Sequence, residues 1–185
     1  MALTKTPVCD FGKKAEDFKL KSINNNVINL SDVRGENATL IMFICNHCPY
    51  VKAIIKDLAK DCNELKKDGI NSVAIMSNDT KNYPDDSFDN MIRFAEKNNF
   101  GEINYLFDET QEVAEKYGAV CTPDFFGYNK DLELQYRGRF RELKELKPIN
   151  NGDSDLKVAM KMIAQTQKGP DKQIPSMGCN IKWFN

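Results

Sequence analysis

Hydrophobic positions in this chain fall into two kinds of block: short continuous apolar runs and longer stretches of helical spacing. That is the pattern of strands separated by amphipathic helices. Ala38–Ile44 is apolar apart from Thr39, as suits a central strand buried on both faces. Val51, Ile54, Ile55, Leu58, Cys62 and Leu65 then recur at i, i+3, i+4, i+7 spacing, with Lys52, Lys56, Lys60, Glu64 and Lys66 on the other side. This predicts one helix starting near Cys48 and stopping at Asp68-Gly69. Ile70–Met76 reads as a second central strand. A strand–helix–strand unit of this length implies parallel pairing through a right-handed crossover.

The flanks extend the pattern. Residues 1–17 are polar and read as a lead-in. Phe18 and Leu20 on one side of Asn24-Asn25-Asn26, and Val27, Ile28 and Leu30 on the other, predict a short β-hairpin. Ser31–Glu36 reads as a turn or one helical turn. Residues 77–86 form a polar loop, and Ser87 can cap a helix running to about Asn98. Tyr105–Phe107 is a brief strand, Glu109–Tyr117 a helix closed by Gly118, and Phe125–Tyr128 with Leu132–Arg137 a hairpin turning at Asn129-Lys130-Asp131. A charged insertion, 138–152, precedes a last helix, Ser154–Gln167, with Leu156, Ala159, Met160 and Ile163 on one face. An extended tail, 168–185, ends the chain. The order implies a single α/β domain over 1–185, with its core at about 18–167. Its central mixed sheet carries helices on both faces.

Composition narrows the function. The chain has 185 residues and a net charge of −1, which calls for neither nucleic acid nor an anionic membrane. No run of about 18 apolar residues suggests a transmembrane helix. Residues Met1–Cys9 hold no apolar signal core, so a cytoplasmic location is expected. Six cysteines are too few for a secreted disulfide scaffold; in a reducing compartment they are more often catalytic, metal-binding or buried. His47 is the only histidine, so no histidine-based metal centre can form.

The chemistry concentrates at Cys45-Asn46-His47-Cys48, a CxxC between a strand and a helix. That setting favours thiol–disulfide exchange over zinc. Cys45 is expected to sit exposed at the mouth of the strand near the helix N-terminus, where unpaired amides favour a thiolate, and to be the nucleophile. Cys48, one helical turn on, is expected to resolve it. His47 between them could tune the couple through its partial positive charge or could simply be an exposed residue at the helix start. This reading needs Cys45 to be reachable from solvent and aimed toward Cys48.

Several segments together resemble one family: Phe18-Lys19-Leu20, Val27–Asp32, Phe43–Val51, Ser77-Asn78-Asp79, Asp108–Gln111, Cys121–Phe125, Tyr136-Arg137-Gly138 and Gly178–Trp183. The chain looks like the peroxiredoxin-like group of thioredoxin-fold proteins, within the alkyl hydroperoxide reductase/thiol-specific antioxidant (redoxin) family. The resemblance spans nearly the whole chain. It implies a thioredoxin-like three-layer sandwich with an N-terminal β-hairpin extension and an extended C-terminal tail. It further implies a cis Pro123 opposite the CxxC, Thr122 offering backbone hydrogen bonds to a docked substrate, and Arg137 imitating a thiolate-activating arginine. Two departures stand out. Peroxiredoxins carry Pro and Thr or Ser seven and three residues before the peroxidatic cysteine; here those positions are Ala38 and Met42 before Cys45, or Ile41 and Cys45 before Cys48. Where thioredoxin has a tryptophan before the CxxC and a buried acid, this chain has Ile44 and Thr39.

The remaining cysteines are open cases. Cys121 and Cys179 are candidates for additional redox partners or inert buried residues, Cys62 belongs to the core by its helical position, and Cys9 lies in the lead-in without a role. Zinc would need a second ligand pair, so no metal site is expected, although Cys121 and Cys179 could complete one. Arg137, Arg139 and Arg141 alternate as on a solvated edge strand. The expected activity is a thiol–disulfide oxidoreductase without a cofactor, acting on a disulfide-containing protein or small thiol with an external thiol reductant. The enzyme is expected to be a monomer or weak dimer. A thiol peroxidase with an antioxidant role, or a non-catalytic metal- or partner-binding module, are the alternatives.

Overall fold

The structure is a computed structural model and describes residues 3–7 and 9–184. Met1, Ala2, Val8 and Asn185, parts of the expected lead-in and tail, lie outside the described residues. In chain order the strands and helices are β1 (Leu3–Lys5), β2 (Lys19–Ser22), β3 (Val27–Asn29), α1 (Leu30–Val33), β4 (Ala38–Phe43), α2 (Pro49–Leu65), β5 (Ile70–Met76) and α3 (Phe88–Lys97). There follow β6 (Asn104–Phe107), α4 (Glu112–Tyr117), β7 (Cys121–Thr122), β8 (Asp124–Asn129), β9 (Leu134–Tyr136), β10 (Leu143–Lys144), β11 (Lys147–Pro148), α5 (Asp155–Thr166) and β12 (Met177–Asn180).

Seven strands form the central sheet in the order β3-β2-β6-β5-β4-β8-β9. The β4–β5 and β5–β6 pairs are parallel and the rest antiparallel, so the sheet is mixed. Strand β4 alternates across it: Ala38, Leu40 and Met42 pack with α2, α3 and α5, whereas Ile41 and Phe43 pack with α1 and α4. The continuous apolar run is therefore a strand covered on both faces. Thr39, its one polar residue, accepts the Gly35 amide through Oγ1 at 3.0 Å. This is the mixed thioredoxin-like three-layer arrangement that the sequence implies.

Most expected elements form near their expected limits, and three differ. Helix α4 starts at Glu112 instead of Glu109 because Asp108 takes the amides of Val113 and Ala114 while Gln111 turns through a φ of 66°. Ser87 precedes α3 without a side-chain capping bond. The lead-in and tail, read as polar and extended, contain β1 and β12. With β7 they make a second sheet in the order β1-β12-β7. Among the described residues, no helix is long and apolar enough to cross a membrane.

Candidate thiol site beneath the tail strand

Strand β4 delivers the chain to Phe43, and five residues later Cys48 becomes the N-cap of α2 with Pro49 at the first helical position. Proline suits that position because its missing N–H would have no helical partner. The CxxC thus spans the loop between strand and helix, and its second cysteine, not its first, stands at the helix N-terminus. Thr122 and cis-Pro123 face it: Cys45 Sγ is 3.3 Å from Thr122 Oγ1, and Cys48 Sγ is 3.1 Å from the Thr122 carbonyl oxygen.

Neither sulfur is as expected from sequence. Cys45 is 0% exposed, and so is Cys48. The predicted solvent-exposed Cys45 is therefore corrected, and with it the expectation of Cys45 as nucleophile and Cys48 as resolver, which required Cys45 to be reachable: it lies just past the end of the buried strand, beside Thr122. Cys48 is not one turn into the helix but at its cap. The two sulfurs also divide the proton unequally. Cys48 is pushed down to about 5 from 9.0, first by the hydrogen bond from Cys45, against burial, with help from Cys179 and the Val51 amide. Cys45 is driven well above 9.0 by that same bond to Cys48, by burial and by the Asp86 charge. The helix N-terminus supplies the physical reason for this direction, because its amides and dipole favour the anion. As a thiol, Cys48 can donate to the Thr122 carbonyl, a bond that ionisation gives up.

The loop between the cysteines is held by Asp86, which falls in the polar loop 77–86. Asp86 is completely buried and accepts from four donors: the Asn46 amide at 2.8 Å, the His47 amide at 3.2 Å, His47 Nδ1 at 2.6 Å and Asn78 Nδ2 at 2.8 Å. Asn46 is fixed further by Tyr105, whose hydroxyl donates to its Oδ1 at 2.9 Å. His47 is accordingly not an exposed helix-start residue. Its ring is mostly covered, stacks on Tyr83 at 5.7 Å and is held above its ordinary 6.5 chiefly by the bond to Asp86. Sequence offered one hint of this: the polar loop follows the carboxyl end of β5, adjacent to the strand that leads into the CxxC.

Arg137 does not reach the cysteines. Its guanidinium grips Asp124 at 2.9 and 3.3 Å and the Gly118 carbonyl at 2.8 Å, and lies 4.4 Å over the Phe126 ring. Phe126 belongs to the α1–α4 face of the sheet, whereas Cys45 and Cys48 pack on the α2–α3–α5 face. The expected thiolate-activating role is thereby corrected to a buried ion pair under the cis-Pro loop. Cys121 is also buried, its thiol pushed up by burial and directed at the Pro123 carbonyl at 3.5 Å. Cys62 is core, raised by burial to about 12, and Cys9 is half-buried.

Cys179 is the sulfur that sequence reading could not place. It lies on β12, opposite Thr122 in antiparallel register, and its Sγ is 3.1 Å from Cys48 Sγ. Burial, then the bond to Cys48, raises it to about 12. As for metals, Cys45 Sγ, His47 Nδ1 and Asp86 carboxylate oxygens lie within 4.8 Å of one another. Within this group His47 Nδ1 is bonded to Asp86 at 2.6 Å. Beside Pro123, a cleft of about 410 Å³ is lined by Tyr50, Ile54, Phe140, Leu143 and Ile174 among others.

Residues 11–140 match the AhpC/TSA family. No curated relative matches the chain. Among solved structures, an uncharacterized conserved protein from Geobacillus kaustophilus is 40% identical with a TM-score of 0.94, covering 100% of this chain and 97% of that one. A hypothetical protein from Sinorhizobium meliloti 1021 is 35% identical with a TM-score of 0.90, covering 98% of each. A secreted Mycobacterium tuberculosis disulfide oxidoreductase, 16% identical, shares the fold with a TM-score of 0.54 over 64% of this chain and 80% of its own.

Proposed function

The chain belongs to the AhpC/TSA family, and on that premise we propose that it is a thiol–disulfide oxidoreductase whose attacking sulfur is Cys48. The observation that carries this reading is the placement of Cys48 at the N-cap of α2, facing Thr122–Pro123, with its thiol lowered to about 5. A thiolate at neutral pH is the nucleophile that disulfide exchange requires. Cys48 attacks a substrate disulfide, releases one thiolate and forms a mixed disulfide. A neighbouring thiol then displaces the second. Cys45, the other half of the CxxC and linked to Cys48 in its protonation, is one thiol available for that step.

His47 and Asp86 act as positioning residues that hold the loop carrying both sulfurs. The cleft beside Pro123 accommodates an apolar group of a disulfide-containing protein or small disulfide. An external thiol reductant closes the cycle. The family also includes peroxide chemistry, but the residue three before Cys48 is Cys45 and the residue seven before is Ile41, in place of a hydroxyl and a proline. A disulfide is therefore the favoured substrate over a peroxide.

Reduction of insulin disulfides tests the reading. Cys48→Ser should abolish it, and Cys45→Ser should leave the first, mixed-disulfide step intact. Full reductase activity in Cys48→Ser would refute the assignment. Hydrogen peroxide consumption without disulfide reduction would select the peroxidase instead. Stoichiometric zinc with neither activity would select a binding module.

A further inference from the structure

The tail closes off Cys48, and the closure is built in detail. Strand β12 lies between β1 and β7, pairing Leu3 with Cys179 on one side and Cys179 with Thr122 on the other. Gly178 lies so close to the Thr122 carbonyl that any Cβ there would collide with it, so glycine permits the approach. Ser176 Oγ donates to the Pro123 carbonyl at 2.7 Å. Beyond the strand, the Lys182 amide donates to Asn78 Oδ1 at 2.9 Å, its carbonyl accepts from Gln111 Nε2 at 2.8 Å, and the Phe184 amide donates to Gln111 Oε1 at 2.8 Å. This register puts one particular side chain, the Cys179 thiol, on Cys48.

We propose that Cys179 is the resolving thiol for Cys48, and that the Cys48–Cys179 disulfide fastens the tail strand over the site as a redox-operated cover. The inference rests on the reading of Cys48 as the attacking sulfur. With the tail lifted, the Cys48 thiolate attacks a disulfide RSSR, forming Cys48–S–S–R and releasing RS⁻. When β12 re-pairs with β7, Cys179 gives its proton to the RS⁻ released in the first step and attacks Cys48 Sγ. The second RS⁻ leaves and the Cys48–Cys179 disulfide forms. Two thiols are oxidised and one external disulfide is reduced to two thiols. An external dithiol returns the pair to its reduced state and frees the tail.

Two features favour Cys179 over Cys45 for this step. A resolving thiol must ionise as it attacks, and burial opposes this at both Cys45 and Cys179. The Lys182 ammonium eases ionisation of Cys179, whereas the Asp86 carboxylate opposes it at Cys45. Cys179 also arrives on a strand held on both edges, so re-pairing alone restores its contact with Cys48, the kind of orientation that makes an intramolecular step fast.

The test uses the full reduced chain carrying Cys9→Ser, which removes the half-buried lead-in thiol. The chain is treated with equimolar oxidised glutathione and its disulfides are mapped by mass spectrometry. Expected is a Cys48–Cys179 link, undiminished by Cys45→Ser, and its replacement in the Cys45→Ser, Cys179→Ser double variant by a Cys48–glutathione adduct. A Cys45–Cys48 link with Cys179 remaining a thiol would overturn the inference while leaving Cys48 as the nucleophile. A Cys48 that forms neither adduct nor link would overturn both.

Discussion

His47 Nδ1 lies 2.6 Å from Asp86 Oδ2, joining the two-residue interior of the CxxC to a completely buried carboxylate. The same carboxylate takes the backbone amides of Asn46 and His47, so one side chain fixes the conformation of the segment between the sulfurs. Asp86→Ala leaves these donors without an acceptor in a buried site. It should cost about 3–5 kcal/mol, read by urea denaturation. A loss within 0.5 kcal/mol of zero would show that Asp86 does not anchor the loop.

The His47–Asp86 bond also makes stability depend on pH. The folded state holds the His47 proton more tightly than the unfolded chain, whose value is near 6.5. Its contribution is therefore complete below 6.5 and is lost as pH rises through the higher folded value. Cys48 works in the opposite direction: lowered from 9.0 to about 5, it contributes stability above 9.0 and loses it as pH falls through about 5. The difference in unfolding free energy between wild type and His47→Gln isolates the first effect. It should shrink from pH 6 upward, and a constant difference would contradict the assignment.

The low Cys48 value depends first on the Cys45 hydrogen bond. Titration of the ultraviolet thiolate absorbance should show an inflection near 5 that disappears in Cys48→Ser. In Cys45→Ala it should move up toward 9.0. An unchanged inflection in Cys45→Ala would mean that the helix N-terminus and Cys179 stabilise the anion without Cys45.

Arg137 separates structure from chemistry. Removing it strands Asp124 in a site where burial already raises that carboxyl. Arg137→Ala should cost about 3–5 kcal/mol. Arg137→Lys cannot reproduce the two-pronged grip and should also destabilise the fold. In either variant that still folds, the Cys48 inflection should stay near its wild-type position, because the guanidinium lies across the sheet from it.

Oxidised forms should differ in stability according to which sulfurs join. Cys48 and Cys179 are 131 residues apart, so their disulfide closes a long loop and should stabilise the chain by about 5 kcal/mol. A Cys45–Cys48 disulfide closes a minimal loop and should add only about 2 kcal/mol. Comparing denaturation of the oxidised and reduced chain distinguishes the two without mapping peptides.

Period and punctuation made much of the fold legible. The Ala38–Phe43 run, the Val51–Leu65 stripe and the Gly69 stop specify β4, α2 and the end of that helix because burial on a strand or helix imposes a fixed spacing. The CxxC was legible from its place between a strand and a helix, and the cis Thr122–Pro123 bond from the family resemblance. Which cysteine caps the helix was not. It depends on how many residues the chain takes to turn from β4 into α2, a length that no periodicity encodes. Asp86 and Cys179 were obscured for a related reason. Each acts through a contact distant in sequence, one made by an irregular loop and the other by a short strand with too few apolar positions to show alternation. Arg137 differs from its expected role because that role came from the family resemblance, which says nothing of its partner here, Asp124.

The chain has a single tryptophan, Trp183, four positions beyond Cys179 on the same segment and 38% exposed. Any lifting of that segment must change the indole's surroundings. Its emission is thus a label-free gauge of whether the sulfurs are shut in, and it can be followed in real time while oxidant or reductant is added.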